Sequence, residues 1–176
     1  MLTVNDLLVR MLEEEKNSGI IDWNGSVPMI PELFAEAPNV VDCLYNNLQP
    51  FVTDGFSLLN INLGWCAYAG LGAAAMWNAD WPSLKNKGIV SSLTEERGIE
   101  EMDEFVLDYI GADINSRDGK DLTDRILNLF NVIMMPVLGP VAGNQDPVAF
   151  MQQFRECRIA MFEYGVIMQM YRMGMR

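Results

Sequence analysis

At 176 residues the chain is long enough to bury a substantial apolar core in one domain without disulfide or metal staples. Half of the residues are apolar and a fifth are charged, a balance that excludes intrinsic disorder. The net charge of −12 argues against a nucleic-acid partner, and the complete absence of histidine excludes histidine metal sites and the Ser-His-Asp and Cys-His nucleophile systems.

Thr3 to Lys16 reads as an amphipathic helix, because Val4, Leu7, Leu8, Met11 and Leu12 recur at the spacing that lines one face. Thr3 with Asp6 makes a capping pair at its start, and Gly19 is the expected stop. Asp6 comes early and three glutamates follow where an apolar run would continue, so no signal peptide is expected. "DWNGSVP" is a turn-rich connector. A short helix begins at Pro31 and is expected to break at Ala37-Pro38, since proline disfavours helical geometry in the residue before it. Val41, Leu44, Tyr45 and Leu48 then restore the period before Pro50.

From Gly55 to Ala79 there is no charged residue. About 20 apolar residues suffice to cross a bilayer. Here, however, Asn60, Asn62 and Asn78 would have to hide their amides from lipid, and the flanks are Asp54 and Asp80 rather than basic anchors. Gly70, Gly72 and Ala75 have the spacing of a dinucleotide-binding turn, but no strand pattern precedes them, as that motif requires. At 100° per residue, Cys66, Ala69, Gly70, Ala73 and Ala74 share one side, and Ile61, Trp65, Tyr68 and Met76 the other. No polar face remains, so this is expected to be the central helix of a bundle, with its small side closely approached by a neighbour.

"WPSLKNKG" follows as a short basic turn. Thr94 to Ile110 reads as one helix with Ile99, Met102, Phe105, Val106, Tyr109 and Ile110 on its apolar face. "GADINSRDGKD" is a loop; as a calcium loop it fails, because Asp118 falls where glycine is needed, and a turn into an N-cap is expected. Leu122, Ile126, Leu129, Phe130 and Ile133 mark a helix ending before Pro136. A Pro/Gly loop then leads to Asp146-Pro147, an N-cap followed by proline at the first helical position of the last helix. Cys43, Cys66 and Cys157 are too few and too scattered for a disulfide framework, so buried, inert thiols and a cytoplasmic setting are expected.

Two regions could carry function. Glu95 to Asp124 holds eleven acidic residues against three basic ones. Within it, Glu101 with Glu104, and Asp121 with Asp124, place paired carboxylates at i, i+3 on two predicted helices. Converging, the four could hold magnesium, which prefers hard oxygen ligands, and so orient a pyrophosphate and activate water. The plainer reading is a solvated acidic helix face. From Glu101 to about Ile133 the segment resembles the all-α nucleotide pyrophosphohydrolases, the MazG-like enzymes and dimeric dUTPases, whose pattern is E-x-x-E, a spacer, then E-x-x-D. It departs from that pattern at Asp121, where the family has the longer glutamate. The resemblance implies a magnesium-dependent hydrolase using those four residues.

The second region is the C-terminal helix. Phe150, Phe154, Cys157, Met161, Tyr164, Met168, Tyr171 and Met175 form a heptad seam, and Ile159, Phe162, Val166 and Ile167 lie outside it. A terminal helix with two apolar faces needs a second partner, so self-association through Phe150, Phe154, Met161, Tyr164, Met168 and Tyr171 is expected. The sequence therefore predicts an all-α, single-domain bundle over residues 1–176, of about six or seven helices around a central small-residue-rich helix. Its expected role is non-enzymatic: structural, adaptor or protein-binding, with an acidic face for a partner, no membrane span and no cofactor. The alternatives are the magnesium-dependent hydrolase and an acidic inhibitor or immunity-type protein that neutralises a basic partner.

Overall fold

Thr3 opens the first helix, α1 (Val4–Asn17), with a reciprocal capping box. The Asp6 N–H donates to Thr3 Oγ1 at 3.2 Å, and the Thr3 N–H donates to Asp6 Oδ2 at 2.9 Å. The Thr3 N–H and, at 2.8 Å, the Thr3 hydroxyl both donate to Asp6 Oδ2 and hold that carboxyl below its usual range. The structure, a computed structural model, describes residues 1–48, 55–143 and 146–175. Every regular element among them is helical, and no strand occurs there. The expected stop at Pro50 and the flank at Asp54 lie outside the described residues.

α2 (Pro31–Leu48) runs through Pro38 rather than breaking at it. Leu33, Ala37, Val41 and Leu44 are buried on one stripe that spans the proline. A proline inside a helix costs about 3 kcal/mol. Fully burying each large apolar side chain returns roughly 1.5–3 kcal/mol, so the stripe outweighs the lost hydrogen bond.

The centre of the molecule is the crossing of α3 (Gly55–Lys87) with α8 (Pro147–Arg172). From Cys157 to Met170 every residue of α8 is buried. A Cβ on Gly70 would lie 2.0 Å from the Phe162 carbonyl oxygen, and one on Gly165 would lie 2.1 Å from that of Ala67. The two backbones therefore touch, which only glycine permits. The small side of α3 was legible; its counterpart, Gly165, was not singled out. α3 kinks at Asp80, whose carboxylate accepts from the Ser83 N–H at 3.2 Å and from Ser83 Oγ at 2.7 Å. That cap turns the expected basic turn into a further helical stretch, ended by Gly88 at φ +97°.

α4 (Ile89–Thr94) and α5 (Met102–Tyr109) replace the single helix expected from Thr94 to Ile110. Gly98, at φ +82°, accounts for the interruption, since that conformation cannot continue a right-handed helix. On α5, Met102, Phe105 and Val106 are buried as expected, whereas Tyr109 is exposed and Leu107 takes its place inside.

α6 (Arg117–Leu129) starts at Ser116, whose hydroxyl accepts from the Gly119 N–H at 3.0 Å, confirming the turn-into-cap reading. It does not end before Pro136. A five-residue π-turn, Phe130–Met134, carries it into α7 (Met135–Gly143), so the expected Pro/Gly loop is largely helix. Pro136 and Pro140 lack the N–H that would bond the residue four earlier, Val132 and Pro136 respectively. Both of those residues are exposed, so water can reach the carbonyls left open. Asp146 caps α8 as expected, accepting from the N–H groups of Val148 and Ala149 at 3.1 Å each.

Candidate interaction surfaces

The four carboxylates of the hydrolase reading stay apart. Glu101 and Glu104 are exposed at the start of α5, and Asp121 and Asp124 are exposed on α6. The α6 pair borders an open depression with Arg117, Asp118 and Lys120, all from one helix. Among the described residues no group of three His, Cys, Asp or Glu side chains is placed to hold a metal ion. Asp121 and Asp124 sit i, i+3 on α6 as expected, whereas Glu101 stands before the first residue of α5, and α5 turns Asp103, not Glu101 or Glu104, toward α6.

The heptad seam of α8 is occupied within the chain. Phe154, Met161, Tyr164 and Met168 are at most 2% exposed, so they are core side chains and are not free for a second copy. Phe150 and Tyr171, at the two ends of the seam, remain partly exposed. α8 has two apolar faces because α3 covers one and α1, α2 and α7 cover the others.

The buried polar groups form structural clusters. Glu15 of α1, 1% exposed, receives Arg125 of α6 in a two-pronged pair, with Nε at 2.8 Å and Nη2 at 2.7 Å. It also accepts the Tyr164 hydroxyl of α8, so one carboxylate ties three helices. Burial lowers the affinity of Arg125 for its proton, but Glu15 outweighs burial and the net shift is upward. Burial and the charge of Glu15 push Tyr164 well up. Arg158 is buried over the rings of Tyr45 and Phe154, 4.7 and 4.9 Å from their centroids, and donates to the Val41 carbonyl at 3.1 Å. Burial pushes Cys66 and Cys157 each up to about 12, which makes both thiols inert at neutral pH; Cys43 is half-buried. Burial, with Glu156 nearby, raises the Glu163 carboxyl to about 7. Asn62 is fully buried with neither amide atom hydrogen-bonded among the described residues. Arg125 and Arg172 border a cavity beside Gly19 to Asp22. Both guanidinium groups there are already engaged, with Glu15 and with Asp118.

Two surfaces stand out among the described residues. The first is the outer side of the long helix Arg117–Gly143. Its stretch from Ile126 to Gly143 contains no charged residue. By length and composition this helix could cross a membrane, and only 33% of its apolar window is buried. The sequence pattern does not show this helix as one element, because Pro136 and Pro140 give its second half the composition of a loop. Val132 is 42% exposed, and on the adjoining first turns of α8, Val148 is 67% and Met151 37% exposed. Val141, Ala142, Pro147 and Phe150 line a cleft of about 380 Å³ where α7 meets α8.

The second surface is a groove of about 240 Å³ between α3 and α6, lined by Ile61, Gly64, Trp65, Tyr68, Asp103, Thr123 and Leu127, among others. The Tyr68 hydroxyl and Thr123 Oγ1, 3.2 Å apart, bridge the two helices. The groove uses the large-residue side of α3 that the helical projection placed opposite the small residues. No protein-family model matches this chain, and neither a curated protein nor a solved structure shows significant similarity to it.

Proposed function

We propose that this protein is a non-enzymatic helical scaffold that pairs with a second copy across α7 and the first turns of α8, leaving its acidic face open to a protein partner. The observation that carries the reading is the charge-free ridge from Ile126 to Gly143, mostly solvent-facing on a chain of net charge −12. Two identical acidic bodies repel wherever their charged faces meet. The ridge lets them meet without that cost. Val132, Val148 and Met151, with the cleft around Phe150, supply apolar area that a lone subunit leaves in water. In this reading Phe150 is the member of the expected seam that reaches the interface. The inward side of the ridge, including Leu129, Phe130, Met134 and Leu138, holds it to the bundle, which favours an interface over a bilayer crossing. A reducing, cytoplasmic setting and the lack of a resident cofactor belong to the same proposal.

Sedimentation equilibrium at micromolar protein tests it. The wild-type chain should have at least the dimer mass. Val132→Lys combined with Val148→Lys should yield a monomer while changing stability by no more than about 0.5 kcal/mol, as surface substitutions do. A monomeric wild type sinks the proposal. Flotation of the wild type with phosphatidylcholine vesicles, abolished by the same pair of lysines, would assign the ridge to lipid instead.

A further inference from the structure

The groove between α3 and α6 is a separate surface from the ridge, and its chemistry differs. Its floor is apolar and closed, with Trp65 and Phe130 buried, while Ile61 and Leu127, 39% and 48% exposed, stand at its lips. At Gly64 nothing among the described residues lies within 4 Å of where a Cβ would sit, so the missing side chain leaves part of the groove open. At about 240 Å³ it is smaller than the roughly 300–1,000 Å³ of most small-molecule sites. It suits apolar side chains presented by another polypeptide. Its border is acidic: Asp103 stands in the wall, and Asp124 lies on α6 one turn before Leu127. Neither carboxylate is in an ion pair among the described residues, whereas Asp108 and Asp118 are. Lys120 and Arg117 are the basic residues nearby on α6, toward its N-terminal end.

We infer that this groove receives an amphipathic, basic helix of a partner protein, with its apolar anchors seated between Ile61, Trp65 and Leu127 and its lysines or arginines facing Asp103 and Asp124. A helix laid into a cleft between two helices presents anchors at i, i+3, i+4 and i+7, which suits an apolar floor lined from both α3 and α6. Free carboxylates at the border supply the charge complementarity that speeds encounter and rejects acidic competitors, including a second copy of this chain. The partner is therefore of another kind than the one proposed for the ridge.

The probe is a fluorescently labelled synthetic helix of about 18 residues, long enough to hold helical structure, with leucines at those positions and lysines elsewhere. Anisotropy titrations compare it with a scrambled peptide and with one carrying glutamate for lysine. The amphipathic basic peptide should bind the full-length protein saturably, and both controls at least about tenfold more weakly. Gly64→Met, which fills the groove from a position with free space, should weaken binding about tenfold or more. Asp103→Lys with Asp124→Lys should weaken it and flatten its salt dependence. Circular dichroism confirms that each variant remains folded. Absence of binding overturns the inference, as does binding that Gly64→Met leaves intact, which would mark a non-specific charge effect. Sedimentation of the same samples reports pairing separately, so the ridge and the groove succeed or fail independently.

Discussion

Two uncharged runs in this chain, Gly55 to Ala79 and Ile126 to Gly143, have similar composition and meet different environments. From Cys66 to Ala74 the first is buried without interruption, while the second has only five of its 18 residues buried. The difference lies in side-chain size and shape. Glycines and alanines on α3 let the α8 backbone approach to contact, and a second layer from α4 and α5 closes over Gly72. The second run instead carries prolines and branched residues, which keep neighbouring backbones away, and the bundle covers one side of it. Lack of charge thus marks a helix that avoids water, and small residues mark where another helix has come to shelter it.

The comparison can be broken most severely at the crossing. Gly70→Leu or Gly165→Leu places side-chain atoms inside the partner backbone, and should leave no cooperative unfolding transition in urea. The same kind of substitution on the ridge, Val132→Lys, should leave that transition in place, as stated above. A smaller loss is expected at the three-helix tie. Arg125→Met strands a buried Glu15 carboxylate and should cost roughly 3–5 kcal/mol, read as a lower urea midpoint. Replacing Glu15 with Gln in the same chain should recover much of that loss, because the stranded charge is then gone.

Glu163, a buried acid, gives stability a pH dependence. Its folded value of about 7 exceeds the ordinary 4.5, so the folded state binds the proton more tightly than the unfolded state. Stability from this group is full below pH ~4.5 and is lost as pH rises through about 7, by up to about 3 kcal/mol. Glu163→Gln should flatten that slope and raise the melting temperature at pH 8.

Much of the architecture was legible in the residues. The Thr3–Asp6 and Asp146–Pro147 caps are local signals, and structure formed where they lie because a helix end needs partners for its free N–H groups. The central role of α3 followed from its having no polar face. α2 continues through Pro38 because the buried stripe on either side outweighs the lost hydrogen bond, and the helix from Arg117 continues through Pro136 because the carbonyl left open faces water, and both conditions appear only in the fold. The acidic pair of α6 was found at the right spacing, but the orientation of the α5 acids was not, because the packing of α5, set by Met102, Phe105 and Val106, decides which acid turns inward. The α8 seam was read correctly as apolar on more than one side. Its occupant could not be read, since a heptad pattern is the same whether the neighbour belongs to the same chain or to another.

The last long helix also reaches back to the beginning of the chain. Gln153 bonds both backbone groups of Leu2, donating to its carbonyl and accepting its N–H, at 3.0 and 2.9 Å. Glu156 accepts the Val4 N–H at 3.1 Å, and Tyr164 donates to Glu15. During synthesis α1 is therefore made well before α8, the helix that anchors it. It leaves the ribosome with Leu7, Leu8, Met11 and Leu12 uncovered, and most of what covers them is translated more than a hundred residues later. Contacts of such sequence separation slow folding, and they delay completion of this domain until its final helix has emerged.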